Sequence, residues 1–195
     1  MFSTSKPVII AISGTHGVGK TTLAYNLSNR LNIRQRAGLG VIISTLRYSM
    51  RDNPIVERWG NYTQYKTPEH IIKKLHDESK LMGEVLTDLI NKATVTGEPY
   101  IIDGVQLLPQ YMPLEKVCFL TLHLKNSSEH MDRFMHPKIT KKHHLTNADF
   151  KTVKILEAEI LKSAKLAKVP VFESNIDEDR LTNNIISSLN LERIE

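Results

Sequence analysis

The sequence predicts an α/β fold, in which a mostly parallel sheet is covered by helices on both faces. Short apolar runs alternate along the chain with longer stretches of helical periodicity, which is the pattern of repeated βα units. The apolar runs are continuous rather than alternating, as expected for strands that are buried on both faces. With 195 residues, the chain is long enough to bury its own core, and we expect a single domain over 1–195.

The composition is that of an ordinary globular protein, with 41% hydrophobic and 24% charged residues. Cys118 is the only cysteine of the chain, which excludes an intramolecular disulfide framework and a cysteine-rich metal cluster. No apolar run approaches the ~18 residues of a membrane span or the pattern of a signal peptide, so we expect a cytoplasmic protein. The net charge of +5 is spread along the chain, which favours a solvated basic face over a nucleic-acid site. The oligomeric state stays open.

Five apolar runs are predicted as the strands of this sheet. Each is five to eight residues long, is rich in Val, Ile and Phe, and borders a turn signal. The run that follows the first predicted helix is "GVIIST", and the preceding "RQRAGLG" is predicted to be an insertion-like connection. The predicted strands span residues 7–13, 40–45, 99–103, 117–124 and 169–173.

Helices are predicted in the intervals between these strands. Thr67 and Pro68 form a plausible N-cap and first position for the longest helix, and Asn126 with Glu129 forms a capping-box pattern for a shorter one. The stretch 52–66 has no clear period and is predicted as a loop or a short helix. The predicted helices span about 20–31, 68–93, 126–134, 147–167 and 178–189.

The segment "GTHGVGKTT", residues 14–22, matches G-x-x-x-x-G-K-[ST], the P-loop or Walker A pattern, between the first strand and the first helix. Glycines let the backbone turn several N–H groups toward one anion, and the helix N-terminus adds a favourable dipole. Lys20 is expected to reach the β- and γ-phosphates of ATP, and the Thr21 hydroxyl to bind Mg²⁺. The expected nucleotide-binding residues are Gly14, Thr15, His16, Gly17, Val18, Gly19, Lys20, Thr21 and Thr22, with Asn175 in an adenine pocket after the last strand.

Charged residues elsewhere predict the rest of a phosphoryl-transfer site. Asp103 ends the third predicted strand, where a carboxylate holds Mg²⁺ directly or through water. Arg47 and Arg51 follow the second predicted strand and are expected to bind an anionic acceptor within a segment at about 46–70. Arg133 is expected to act in catalysis at the start of a lid-like segment, about 133–147. Lys141 of that segment is a further expected acceptor contact.

A nucleotide site alone does not separate a kinase from a switch or a motor. The chain contains no N-K-x-D guanine-reading motif, and its size leaves little room for motor insertions. These observations favour a small-molecule kinase of the adenylate kinase type.

Several motifs carry a resemblance to one family. "GTHGVGKTTLAYNLSNRL", "VIISTLRYSMR", "IIDGVQLLP", "EHMDRF" and "AKVPVFESNIDEDR" occur in the order that is seen in archaeal 2-phosphoglycerate kinases, and the chain resembles that family over most of its length. The resemblance implies transfer of the ATP γ-phosphate to the 3-hydroxyl of 2-phosphoglycerate. It also implies roles for Lys20, Thr21, Asp103, Arg47 and Arg133. We therefore expect a three-layer P-loop NTPase fold with a five-stranded parallel sheet of order 2-3-1-4-5.

The chain departs from that family at the acceptor side. The family has an Asp after its Ser-Thr pair, whereas Ser44-Thr45 is followed here by Leu46-Arg47, and Gln106 stands where the family has a histidine. The identity of the acceptor and of the catalytic base therefore stays open, as does the choice between ATP and GTP. The alternatives are a nucleoside monophosphate kinase and a non-catalytic nucleotide-binding module.

Overall fold

A five-stranded parallel sheet forms the centre of the protein. The computed structural model describes residues 8–65, 67–136, 145–174 and 177–191. The strand order is β2-β3-β1-β4-β5 and every neighbouring pair is parallel, which confirms the predicted fold class and topology. The strands are β1 (Ile9–Ser13), β2 (Gln35–Gly38), β3 (Tyr100–Gly104), β4 (Cys118–His123) and β5 (Val171–Glu173).

Seven α-helices are found among the described residues, and short 3₁₀ helices lie at Tyr62–Gln64 and Pro109–Tyr111. Predicted caps are present: Thr67 accepts a hydrogen bond from the His70 N–H at the start of the longest helix, and Asn126 caps another. The helices are α1 (Lys20–Leu31), α2 (Leu39–Ser49), α3 (Pro54–Glu57), α4 (Pro68–Thr96), α5 (Ser127–Met135), α6 (Asn147–Leu166) and α7 (Glu178–Ser188).

The two faces of β1 pack against different helices, because successive side chains of a strand point to opposite sides. Ile10 and Ile12 join a core with Leu27 of α1 and Ile185 of α7. On the other face, Ile9 and Ala11 join a second core with apolar residues of α4, namely Met82, Leu86 and Ile90. Helix α6 extends this second layer by packing on α4. The three-layer arrangement therefore places the carboxyl end of β1 between the two helical layers.

The prediction of a second strand at 40–45 is wrong. That segment lies in helix α2, and β2 is found at Gln35–Gly38, inside the segment that was expected to be an insertion-like connection. The run "VII" resembles a buried strand, but the helix turns Ile42, Ile43 and Leu46 toward the second core at helical spacing. β2 lies at the sheet edge with exposed Gln35, so it does not need an apolar run.

The stretch that was predicted as a loop or short helix contains α3, whose N-cap Asn53 accepts hydrogen bonds from two backbone N–H groups. Helix α4 ends at Thr96, slightly later than predicted, because Gly97 adopts a left-handed conformation that closes the helix. No helix in the described ranges has the length and apolarity that a bilayer span requires.

Candidate nucleotide and acceptor site

The P-loop connects the carboxyl end of β1 to the first residue of α1. Its backbone requires glycine, since φ is 145° at Gly14, 81° at Gly17 and 89° at Gly19. Helix α1 has no acidic residue in its first turn, and no side chain caps its N-terminus. The first N–H groups of the helix are therefore available to an anion, as a phosphate-binding loop requires.

Lys20 extends along this loop. Its Nζ donates a hydrogen bond to the Thr15 carbonyl oxygen at 2.6 Å. Burial lowers the pKa of Lys20 to about 8, and the nearby Asp103 carboxylate opposes that decrease. A buried ammonium group of this kind gains strongly from an anionic ligand, because nearby negative charge stabilises its protonated form.

Thr21 and Asp103, the two predicted magnesium residues, are brought together by the fold. The Thr21 hydroxyl donates to Asp103 Oδ2 at 3.0 Å, and Asp103 is buried at the end of β3. In the described ranges, no group of three or more His, Cys, Asp or Glu side chains is placed to hold a metal ion. A hydroxyl and one carboxylate fit Mg²⁺, which usually takes its other ligands from water and phosphate oxygens.

One cavity, of about 80 Å³, lies on the α1 side of the loop. Arg133 of α5 and Ser174, which follows β5, face it from outside the loop, so the predicted adenine region does border this cavity. Arg133 also pairs with Glu129 on its own helix at 2.6 Å. Asn175, the other predicted contact here, lies outside the described residues. The remaining lining residues are Val18, Gly19, Thr22, Leu23, Asn26, Glu178, Leu181 and Thr182.

A second cavity, of about 200 Å³, also borders the loop and is called here the acceptor cavity. His16 of the P-loop forms one wall, and the segment 60–63 forms another. Helix α6 contributes Asp149 and Thr152, and Phe134 of α5 and Leu145 also line the cavity. Part of the predicted acceptor-binding segment, 46–70, therefore does line a cavity beside the loop.

The predicted acceptor arginines have other partners in this structure. Arg47 donates from Nη2 to the Trp59 carbonyl oxygen at 2.7 Å. The Arg51 guanidinium lies 4.7 Å from the centre of the Tyr48 ring. Neither arginine lines the two cavities at the loop. Lys141, the third residue that was predicted to contact the acceptor, lies outside the described residues, together with the rest of 137–144.

Sequence reasoning missed a buried polar network behind the acceptor cavity. Glu78 is fully buried and forms an ion pair with Lys74 at 2.8 Å. It accepts hydrogen bonds from the Gly60 N–H at 2.8 Å, from the Tyr62 hydroxyl, and from Gln106 Nε2 at 3.0 Å. Burial and the Glu78 charge raise the pKa of Tyr62 well above its usual value, so its hydroxyl stays a donor. The network fixes the wall at 60–63.

One signal of this network was present in the sequence. Lys74 and Glu78 are four residues apart on the stripe of α4 that also carries Ile71, Leu75 and Met82. A charged pair on an apolar stripe indicates burial, although its partners on other segments are not visible from spacing.

A family model described as an AAA domain matches residues 10–154, which include the P-loop, Asp103 and Arg133. The chain belongs to this AAA domain family.

Curated relatives of this AAA domain are named 2-phosphoglycerate kinase, which confirms the resemblance to that family that was seen in the sequence motifs. A 2-phosphoglycerate kinase of Methanococcus vannielii is 26% identical over 188 residues, which cover 86% of the chain and 59% of that relative. A 2-phosphoglycerate kinase of Pyrococcus furiosus is 22% identical and covers 97% of the chain and 66% of its own length. The chain thus spans about 59% of the length of the first of these relatives.

Solved structures similar to this AAA domain show its fold. A shikimate kinase of Acinetobacter baumannii aligns with a TM-score of 0.60 at 12% identity, over 94% of both chains. A shikimate kinase of Aquifex aeolicus gives 0.57 at 18% identity, over 94% of this chain and 96% of the other. A gluconokinase of Sinorhizobium meliloti gives 0.56 at 14% identity, over 94% and 92%. At these identities the likeness concerns the fold alone.

Proposed function

We propose that this protein is a kinase that transfers the γ-phosphate of MgATP to a hydroxyl group of a small anionic acceptor, with 2-phosphoglycerate as the first candidate. One observation supports the proposal: two separate cavities share the P-loop as a wall. Val18 and Gly19 line one, and His16 lines the other. A transferase needs two substrates that meet at one phosphate, whereas a simple nucleotide-binding module needs one pocket.

The residues of the chain have defined tasks in this reaction. Lys20 and the loop N–H groups bind the β- and γ-phosphates and offset their charge. Thr21 and Asp103 would hold Mg²⁺, which when bound neutralises charge that develops on the phosphate oxygens. Arg133, on the nucleotide side, adds positive charge near the phosphates. The acceptor hydroxyl oxygen forms a bond to the γ-phosphorus and loses its proton to solvent, while the bond between the γ-phosphorus and the β–γ bridging oxygen breaks, which releases ADP.

The choice of 2-phosphoglycerate is supported by the curated relatives, whose names state that activity. Asp149 and Thr152 would orient a hydroxyl-bearing acceptor in the acceptor cavity. Lys141 is proposed as a contact to the acceptor phosphate. Arg47 could contact the acceptor only after it releases the Trp59 carbonyl oxygen. We therefore assign the binding of the acceptor phosphate to the lid-like segment instead.

A second candidate is a kinase for an unphosphorylated hydroxy compound. The described part of the acceptor cavity contains the Asp149 carboxylate and neutral polar groups, and no arginine or lysine of the described residues lines it. A polyol or a hydroxy acid would suit that lining without a dedicated phosphate-binding group.

An acceptor panel separates these candidates. ADP release is followed with MgATP and 2-phosphoglycerate, glycerate, AMP, CMP or UMP, and ³¹P NMR identifies the product. We expect turnover with 2-phosphoglycerate that forms 2,3-bisphosphoglycerate and is abolished in Lys20→Ala. Turnover with glycerate alone supports the second candidate, and turnover with AMP, CMP or UMP supports a nucleoside monophosphate kinase. MgATP binding with no acceptor-dependent turnover would contradict the kinase proposal.

A further inference from the structure

His130 connects helix α5 to the P-loop from behind. Its side chain is fully buried, and Nε2 lies 2.8 Å from the His16 carbonyl oxygen. A carbonyl oxygen only accepts, so Nε2 carries the proton in this contact. The ring also packs edge-on against Phe150 of α6, with 5.3 Å between the centroids. The ring is therefore held in one orientation by two helices while it contacts the loop.

The contact with the His16 carbonyl oxygen determines the direction of the next N–H group. All peptide bonds in the described ranges are trans, so the His16 C=O and the Gly17 N–H lie in one plane and point in opposite directions. The carbonyl points toward α5, and the Gly17 N–H therefore points away from α5. Gly17 also allows the close approach of that helix, because a Cβ there would lie 3.3 Å from the Phe134 backbone nitrogen.

We propose that His130 is a positioning residue of the nucleotide site, which holds the His16 carbonyl oxygen and so directs the Gly17 N–H toward the bound phosphate. The inference rests on the proposed function of the P-loop as a nucleotide site. The contact pre-organises the Gly17 N–H as a hydrogen-bond donor to the phosphate. Without this contact, the N–H group would have to reorient when the nucleotide binds. His130 is not in contact with Thr21 or Asp103, and it acts only through the loop backbone.

The other ring nitrogen connects the same residue to α6. Nδ1 lies 3.6 Å from Glu157 Oε1, and neither atom has a hydrogen-bond partner in the described ranges. Glu157 pairs through Oε2 with Lys154, and Lys20 is the further charged group that faces His130 from α1. A proton on Nδ1 would join it to Glu157. His130 therefore lies between the loop and α6, with one ring nitrogen facing each.

Three substitutions at one position test the assignment. A glutamine places its amide N–H near the place of Nε2, whereas an asparagine is too short and alanine has no donor. We expect His130→Ala and His130→Asn to raise the Kd for MgATP and MgADP by about 3- to 10-fold, the range for loss of one hydrogen bond. His130→Gln should stay within about 2-fold of the wild type. The Kd is measured by titration calorimetry, which requires no acceptor.

A second readout reports on the loop directly. In ¹⁵N–¹H spectra, the Gly17 amide should shift on addition of MgADP in the wild type and in His130→Gln. The shift should be reduced in His130→Asn, whose folding is checked by its thermal melting. His76 gives a matched control, because its Nε2 lies 3.0 Å from Glu159 of α6 and it does not contact the loop. His76→Ala should leave the Kd for MgATP unchanged.

The outcomes separate this inference from the function on which it rests. Wild-type protein that binds no MgATP overturns the proposed function and this inference together. Wild-type protein that binds MgATP, with equal Kd values for His130→Asn and the wild type, overturns this inference alone. A His130→Gln variant as weak as His130→Asn does the same, because the glutamine donor should restore the contact.

Discussion

Thr21 and Asp103 lie 82 positions apart in the chain, and a hydrogen bond of 3.0 Å joins the Thr21 hydroxyl to Asp103 Oδ2. The bond joins the start of α1 to the end of β3, which is the neighbour of β1 in the sheet. The register of that pair places Ser13 opposite Gly104. The proposed magnesium site is therefore set by strand pairing and does not depend on a mobile loop.

Removal of the Thr21 hydroxyl or of the Asp103 carboxylate should lower kcat, because each is a proposed ligand of Mg²⁺. We expect Thr21→Ala and Asp103→Asn each to reduce kcat on the order of 100-fold, because charge stabilisation in the transition state is lost. The measurement is kcat as a function of Mg²⁺ concentration with the acceptor found by the panel. Thr21→Ser keeps the hydroxyl and is the matched control. An equal loss in Thr21→Ser and Thr21→Ala would contradict a role for the hydroxyl.

The two neighbouring ion pairs of α4 should differ in their contribution to stability. Glu78→Ala leaves Lys74 buried without its partner, and we expect the free energy of unfolding to fall by about 3–5 kcal/mol. Asp77→Ala removes an exposed pair with Lys73 that has the same i,i+4 spacing, and should lower the free energy of unfolding far less. Urea denaturation measures both. Similar costs for the two variants would show that burial does not decide the strength of these pairs.

Two helical glycines should respond to alanine with opposite signs. Gly83 in α4 faces the Tyr111 carbonyl oxygen so closely that a Cβ would overlap it, so Gly83→Ala should destabilise the protein by more than about 1 kcal/mol. Gly40 in α2 has open space, and Gly40→Ala should stabilise by about 0.5–1 kcal/mol through helix propensity. Thermal unfolding of both variants checks the signs. A stabilised Gly83→Ala would mean that Tyr111 does not lie against α4.

Acidification should destabilise the protein in part through His130. Burial lowers the pKa of His130, although the His16 carbonyl oxygen and Glu157 oppose the decrease. The unfolded chain then binds a proton more readily than the folded one. This contribution to stability is complete above pH of about 6.5, the unfolded pKa, and is lost as the pH falls through the folded pKa.

The measurement is the free energy of unfolding of the wild type and of His130→Gln from about pH 5 to about pH 8, an interval that includes the ordinary pKa of histidine. The difference between the two should shrink as the pH falls, because glutamine does not titrate. Glu157→Gln removes the charge that raises the pKa of His130, so the loss should become larger and continue to lower pH. A difference that is constant with pH would contradict the pKa shift.

Much of the fold followed from local patterns in the sequence. The apolar runs of β1, β3 and β4 are continuous because these strands are buried on both faces, and they were predicted correctly. β2 was placed wrongly because an edge strand carries polar residues, while the apolar run next to it forms α2. The strand order was predictable because the resemblance to one kinase family implies this order, whereas the P-loop motif alone does not.

The candidate site was predictable only where a short motif or the end of a predicted strand marks its residues. The nine loop residues follow from their spacing, and Asp103 follows from its place at a strand end. Contacts between distant segments have no local signature. Neither the hydrogen bond from His130 to His16 nor the meeting of Glu78 with Tyr62 and Gln106 could be predicted from spacing.

The central place of β1 in the sheet has a consequence for synthesis. Ile9 pairs with Tyr100, about 90 residues later, and with nothing nearer in the chain among its described strand partners. At about 5–20 residues per second, a ribosome needs about 5–20 s to supply that partner. During this interval "VIIAIS" and the P-loop have no sheet to join, so the nascent chain must keep one of its most apolar segments from aggregating before the nucleotide site can exist.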